Sequence, residues 1–194
     1  QGIEITLQEQ VSRTGVLIKN RFALPGDTEI YQVPGEINRS NRKIVYEQLA
    51  NGDWTGDWFE NRSIQAQVLR RVRTSRSDVR VLPGPEPEVI SSVDATFSRI
   101  FIRDRDGGMW IAEKVSPGKK VKLRSAIPDE INALREDLPT RKEFVMNGRN
   151  VLEREGWFYA ESLEDERYID TVSAIRWRDR PIWYMGPVKG EFRP

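Results

Sequence analysis

Short apolar runs of period two, cut at close intervals by proline and glycine, constrain this chain more than any other feature. Ile3, Ile5 and Leu7 alternate with Glu4, Thr6 and Gln8. That period belongs to a strand with one face buried, because successive side chains point to opposite sides of a sheet. Val16 to Phe22 and Glu29 to Val33 are further extended runs, separated by Leu24-Pro25-Gly26-Asp27 and closed by Pro34-Gly35. Such pairs make turns because proline presets φ and glycine accepts positive φ. Lys43 to Leu49 is another expected strand. From Ser63 the alternation resumes, with Ile64, Ala66, Val68 and Val72 on one side and Gln65, Gln67, Leu69, Arg71 and Arg73 mostly on the other, which predicts a long, edge-like strand with its basic residues outward. Val79 and Val81 continue it.

Pro83, Pro85 and Pro87 then exclude both a helix and a central strand. The division expected there is a β-rich subdomain over 1–84 and a β-sandwich-like subdomain with short helices over 85–194, with one continuous domain over 1–194 as the alternative. Beyond it, Ser98 to Arg103, the turn Asp104-Arg105-Asp106-Gly107-Gly108 and Met109 to Val115 read as a hairpin. Ser116-Pro117-Gly118-Lys119 turns the chain into Lys120 to Arg124, predicting a three-strand meander. Helix starts are expected at Pro128, which opens Ile131, Leu134 and Leu138 at helical spacing, and around Thr140, with Phe144, Val145 and Val151. Gly156 to Glu161 reads as a strand, and Ile169 to Trp177 with Ile182 to Val188 as a closing hairpin. The fold class is mainly β, an antiparallel sandwich-like arrangement with one or two short helices in the C-terminal third.

Composition removes whole classes of chemistry. The chain has no cysteine and no histidine, so it makes no disulfide and no thiolate or imidazole metal site, and Ser-His-Asp and Cys-His catalysis cannot be built from it. No cofactor, metal or catalytic residue is assigned, and the balance points away from an enzyme. Carboxylate-based hydrolysis and lysine chemistry survive this filter. With 31 basic and 30 acidic residues the net charge is +1, so no global field draws in nucleic acid or an anionic membrane. No stretch approaches the ~20 apolar residues of a membrane-spanning helix. The first residue is Gln1, from which a removed upstream segment is expected, a signal peptide, an anchor or more of a longer protein, so any membrane link runs through an anchor outside this sequence.

Residues 88–123, from Glu88-Val89-Ile90-Ser91 through Asp104-Arg105-Asp106-Gly107-Gly108 to Ser116-Pro117-Gly118-Lys119 and Leu123, resemble bacterial immunoglobulin-like β-sandwiches, in which one strand ends in an Asp-Gly turn and the next leads through a Pro-Gly corner into a third. What the resemblance implies is an extracytoplasmic module, periplasmic or on the cell surface, that works by binding or spacing and brings no catalytic residues with it.

Each candidate site has two readings. Trp54 and Trp58, with Asp53 and Asp57, lie in a Gly-rich segment where exposed indoles could stack on a sugar or a partner while the carboxylates accept hydrogen bonds; the same indoles also suit a core at the sheet edge. Trp110, Trp157, Trp177, Trp183 and Tyr184 read as packing between sheets. Asp104 and Asp106 have the spacing of a calcium loop, but Met109 and Val115 stand where its glycine and glutamate belong, which leaves a turn. Ser116 and Lys119 match a Ser-x-x-Lys pair that needs a helix, which Pro117-Gly118 forbids. Arg70, Arg71, Arg73, Arg76 and Arg80, and Lys119, Lys120, Lys122 and Arg124, form two basic clusters that serve either phosphates or a solvated sheet face. Glu153, Glu155, Glu161 and Glu164 lie near aromatics. Asn38-Arg39-Ser40 and Asn61-Arg62-Ser63 fit the glycosylation pattern. The leading reading is a non-catalytic module mediating protein contacts in a larger or membrane-anchored bacterial protein. The alternatives are a carbohydrate-binding module or carboxylate-dependent glycan hydrolase, and, with less support, nucleic-acid contact through the basic strands.

Overall fold

The computed structural model describes residues 2–13, 21–32, 46–59, 64–137, 154–162, 168–172 and 182–192. The chain divides into two compact units, one formed by Gln1–Arg76 with Arg167–Arg178 and the other by Ser77–Glu166 with Asp179–Pro194. The division therefore falls before the prolines, and Pro83 to Pro87 form a turn inside the second unit. The expected helix around Thr140, the runs at 14–20 and 173–177, the turn at Pro34-Gly35 and both glycosylation patterns lie outside the described residues.

In the first unit, β1 (Gly2–Arg13), β6 (Ile64–Ser75) and β3 (Thr28–Gln32) make a three-stranded antiparallel sheet with β6 in the centre. The run from Ser63 is thus a central strand and not an edge. A second small sheet joins β2 (Arg21–Phe22), β5 (Trp54–Gly56) and β4 (Tyr46–Gln48). Its β4–β5 turn needs Gly52, which sits at φ 89°. Phe22, Ile30, Trp58, Phe59, Leu69 and Ile169 form the core.

That core contains amides as well as hydrocarbon. On the inward face of the large sheet Gln10 donates to Gln67 at 3.3 Å, Gln67 to the Trp58 carbonyl at 2.5 Å and Gln65 to the Asp57 carbonyl at 2.7 Å. Gln8 clamps the backbone of Ile169 from both sides, donating to its carbonyl at 2.9 Å and accepting from its N–H at 2.8 Å. A buried amide is tolerated when its donors and acceptors are matched in this way. Ile169 therefore belongs to this core; of the run expected to pair with 182–188 only 169–172 are described, and they form no strand, while 182–189 pairs with other strands.

The second unit carries an eight-stranded sheet in the order β11-β8-β7-β14-β13-β9-β10-β12. These are β7 (Val79–Leu82), β8 (Glu88–Ser91), β9 (Phe97–Arg103), β10 (Met109–Val115), β11 (Lys120–Lys122), β12 (Arg124–Ser125), β13 (Trp157–Ser162) and β14 (Ile182–Lys189). The β9–β10 hairpin falls where the Asp-Gly-Gly turn places it. The third strand of the expected meander is split. β11 pairs with β8, β12 with β10, and between them Leu123 turns inward while its N–H donates to the Pro87 carbonyl at 2.7 Å. The two ends of the sheet are thus successive residues of one segment, so the sheet folds over its own core as a mainly antiparallel, sandwich-like layer pair.

β14 pairs with β13 and, at its far end, runs parallel to β7. Val79, Val81, Val89, Phe97, Ile100, Ile102, Ala112, Phe158 and Ala160 fill the interior. The outer face is apolar too, because α1 (Pro128–Asp137) belongs over it: Leu134 packs with Phe101, Ile111 and Tyr159. Burial on both faces explains the unbroken run Ile100-Phe101-Ile102. It also pushes the Tyr159 phenol up to about 12. The helix begins at Pro128 as expected, and Glu130 reaches back to accept from the Ile127 N–H at 3.0 Å.

Two carboxylates lock this unit. Asp78 accepts from Arg80 at 2.9 Å and from Lys189 at 2.9 Å, tying β7 to β14, and is lowered from 3.8 to about 2, chiefly by its bond to Arg80. Glu130 is lowered from 4.5 to about 2 by its paired bonds to Arg124 and then by the Ile127 N–H. A depressed folded-state value adds stability that is complete above the unfolded value and is lost as pH falls toward 2. Asp78→Asn and Glu130→Gln are therefore expected to lower the urea midpoint at neutral pH, with the deficit shrinking between 4.5 and about 2. A deficit unchanged at pH 2 would contradict the pairing.

Candidate functional site

The alternation in β1 identifies a strand correctly, but its apolar side faces out. Ile3, Ile5, Leu7 and Val11 are 72%, 57%, 44% and 53% exposed, and Gln10 and Ser12 on the opposite side are buried. Register carries the same polarity across the sheet: Ile5 stands beside Val72, Val11 beside Ala66, and Tyr31 of β3 beside Val68. Ile64, Val72 and Tyr31 are exposed as well. The reading of these apolar positions as an inward face is thus corrected, and the cause is the amide-lined core, which takes up the glutamine side.

Charge lies in the middle of this outward face and, by register, at its far end, where Arg13 stands beside Ile64. Arg70 bonds Glu29 at 2.5 Å and lies 5.8 Å from the Tyr31 ring, whose hydroxyl donates to the same carboxylate. Tyr31 and then Arg70 hold the Glu29 carboxyl below its ordinary value. Glu9 lies on the same face, beside Val68. A contiguous apolar strip with a Tyr and an Arg at its centre has the composition of a protein-contact surface. The counter-signal in the sequence was the matched spacing of Gln8, Gln10, Gln65 and Gln67, four amides able to satisfy one another inside.

The four positions singled out for a ligand divide. Trp58 is 3% exposed and packs edge-on against Phe22 and Trp54, at interplanar angles of 87° and 90°. It presents no open ring face, because its indole is part of the core. Asp57 lends its backbone carbonyl to Gln65. Trp54 and Asp53 do come together, with Leu24, Thr28, Gln48 and Asn51, around a cleft of about 220 Å³. Asp53 is engaged there by Arg21 at 2.7 Å and by Asn51 at 3.0 Å.

Several other candidates resolve into structure. The Asp104 carboxylate accepts from the Asp106 and Gly108 N–H groups at 3.0 and 2.7 Å and from the Trp110 indole at 2.9 Å, so it organises the hairpin turn. Ser116 and Lys119 are the ends of a turn, with Gly118 at φ 72°. Arg73 bonds Glu4 at 2.6 Å, Arg124 bonds Glu130, and Lys122 bonds Glu86. Glu161 is held by Arg99 at 2.7 Å. Trp110 and Tyr184 pack on the interior core and Trp157 and Trp183 on the outer cluster, as packing residues should. Trp177, Glu153 and Glu164 lie outside the described residues. No protein-family model, curated protein or solved structure matches the chain.

Proposed function

We propose that the chain is a non-catalytic β module that works through protein contacts, within a larger or membrane-anchored protein outside the bacterial cytoplasm. One observation carries the contact reading: the large sheet of the first unit turns Ile3, Ile5, Leu7, Val11, Ile64 and Val72 outward while burying glutamines. An outward apolar strip of this length costs free energy in water unless a partner covers it. The compartment is the part that the turn pattern of 88–123 supports, and fractionation of the full-length protein tests it separately.

A photo-crosslinking residue in place of Ile5, in cells producing the protein, is expected to give discrete protein adducts. The same residue in place of Glu113, exposed on β10, gives none. Absence of adducts at Ile5, or equal labelling at both positions, contradicts the reading.

Carbohydrate binding has one observation in its favour, the cleft lined by Trp54, Gln48, Asn51 and Asp53. At about 220 Å³ it is smaller than common ligand sites and takes a single small ring at most. Sugar-dependent quenching of tryptophan fluorescence that Trp54→Phe abolishes would support it.

A further inference from the structure

We infer that the outward face of the β1–β6–β3 sheet binds a second copy of this chain, the two sheets packing face to face across a two-fold axis. The inference rests on the protein-contact reading and names the partner.

Three features favour a copy over an unrelated occupant. The first is the arrangement of side chains along the face. Ile3, Ile5 and Val72 lie toward one end, Val11, Ala66 and Ile64 toward the other with Arg13 at its tip beside Ile64, and the charged groups Glu9, Arg70 and Glu29 lie between. A two-fold that reverses strand direction lays the Ile5–Val72 pair of each copy on the Val11–Ala66 pair of the other. It also brings Glu9 of each copy toward Arg70 of the other, so the pattern is its own complement, as an isologous interface requires.

The second feature is area. At ~3.3 Å per residue and ~4.8 Å between strands, the two long strands and short β3 present roughly 450 Å² per copy. A pair then covers on the order of 1,000 Å², the least that sustains specific association. The third is net charge: at +1 per chain, two copies meet without appreciable repulsion. Sheets stacked in this way sit ~10 Å apart with their strands within about 30° of alignment.

The test is sedimentation velocity on the whole chain over a concentration series, with the double variant Ile5→Glu/Val72→Glu and the off-face variant Glu113→Lys. The unmodified chain is expected to shift from monomer to dimer with a Kd on the order of 10 µM. The double variant is expected to weaken it at least about 100-fold, because four buried carboxylates would lack partners. Its far-UV circular dichroism stays unchanged, and Glu113→Lys dimerises normally.

A dimer that the double variant leaves intact overturns the inference by placing the interface elsewhere. A chain that stays monomeric, but in which single cysteines at positions 5 and 72 react freely with a thiol reagent, also overturns it and passes the face to a different protein or a lipid surface. A monomer in which those cysteines are protected overturns both the inference and the contact reading.

Discussion

Gly190→Ala is expected to lower the thermal unfolding midpoint of the second unit by on the order of 10 °C, from a destabilisation of about 3–5 kcal/mol. Gly190 follows directly on the parallel contact between β14 and β7, where Lys189 stands beside Arg80. The chain there passes so close to β7 that an added Cβ would lie 2.2 Å from the Val81 carbonyl oxygen and 3.3 Å from its carbon. Both are backbone atoms, so relief requires moving a strand whose Val79 and Val81 are in the core. Gly190 also holds φ 92°, a left-handed conformation that alanine resists. Gly26→Ala is the control: an added Cβ there meets nothing within 4 Å, and the midpoint should move little. Similar midpoints for the two variants would show that the parallel pairing is wrong.

Asp104→Ala is the second large effect, about 2–4 kcal/mol. One carboxylate accepts the N–H groups of Asp106 and Gly108 and the Trp110 indole. Its loss leaves three donors without their acceptor at a position only 9% exposed. Because Trp110 stacks at 5.5 Å on Phe192, its fluorescence should shift as well. Asp104→Asn keeps an acceptor oxygen and is expected to recover part of the loss. Retention of full stability by Asp104→Ala would show that the turn is held by its backbone alone.

These turns are also what the sequence announces most clearly. Asp-Gly-Gly and Pro-Gly specify their geometry locally, so the β9–β10 hairpin and the corner at 116–119 are legible from a few residues. Pro128 opens α1 for the same local reason. Partners distant in the chain are not announced. Nothing within Ile182–Lys189 says that it pairs with β13 and, in parallel, with β7, since those choices depend on how a core more than 20 residues away closes. The division at Arg76/Ser77 is silent too, whereas Pro83 to Pro87, which look like a linker, only reverse β7 onto β8.

The candidate surface was legible in part. Alternation tells which residues share a face, and Ile3, Ile5 and Leu7 do. It cannot tell which face is inward, because the choice depends on whether the other side can be buried. The charged residues on the inward side do not force the isoleucines in, because Glu4 and Arg73 pair with each other near the end of the sheet. Gln10, Gln65 and Gln67 are buried on that side, and Gln8 half-buried, because amides satisfy one another and nearby carbonyls. The two readings of the indoles divide between them: Trp58 packs into the core with Phe22 and Trp54, as the core reading has it, while Trp54 also lines the cleft beside Asp53.

The outward orientation of β1 and β6 is open to a direct chemical test, since the chain has no cysteine of its own. Ile5→Cys, Val72→Cys, Leu69→Cys and Val81→Cys would be made singly and their thiol reaction rates compared in native buffer, at a concentration low enough to keep copies apart. Ile5→Cys and Val72→Cys should react almost as fast as the unfolded chain, and Leu69→Cys and Val81→Cys, replacing residues 0% and 2% exposed, only after denaturation. Fast reaction at position 69 with protection at position 5 would show that the apolar face is the core, and the proposed contact surface would not exist.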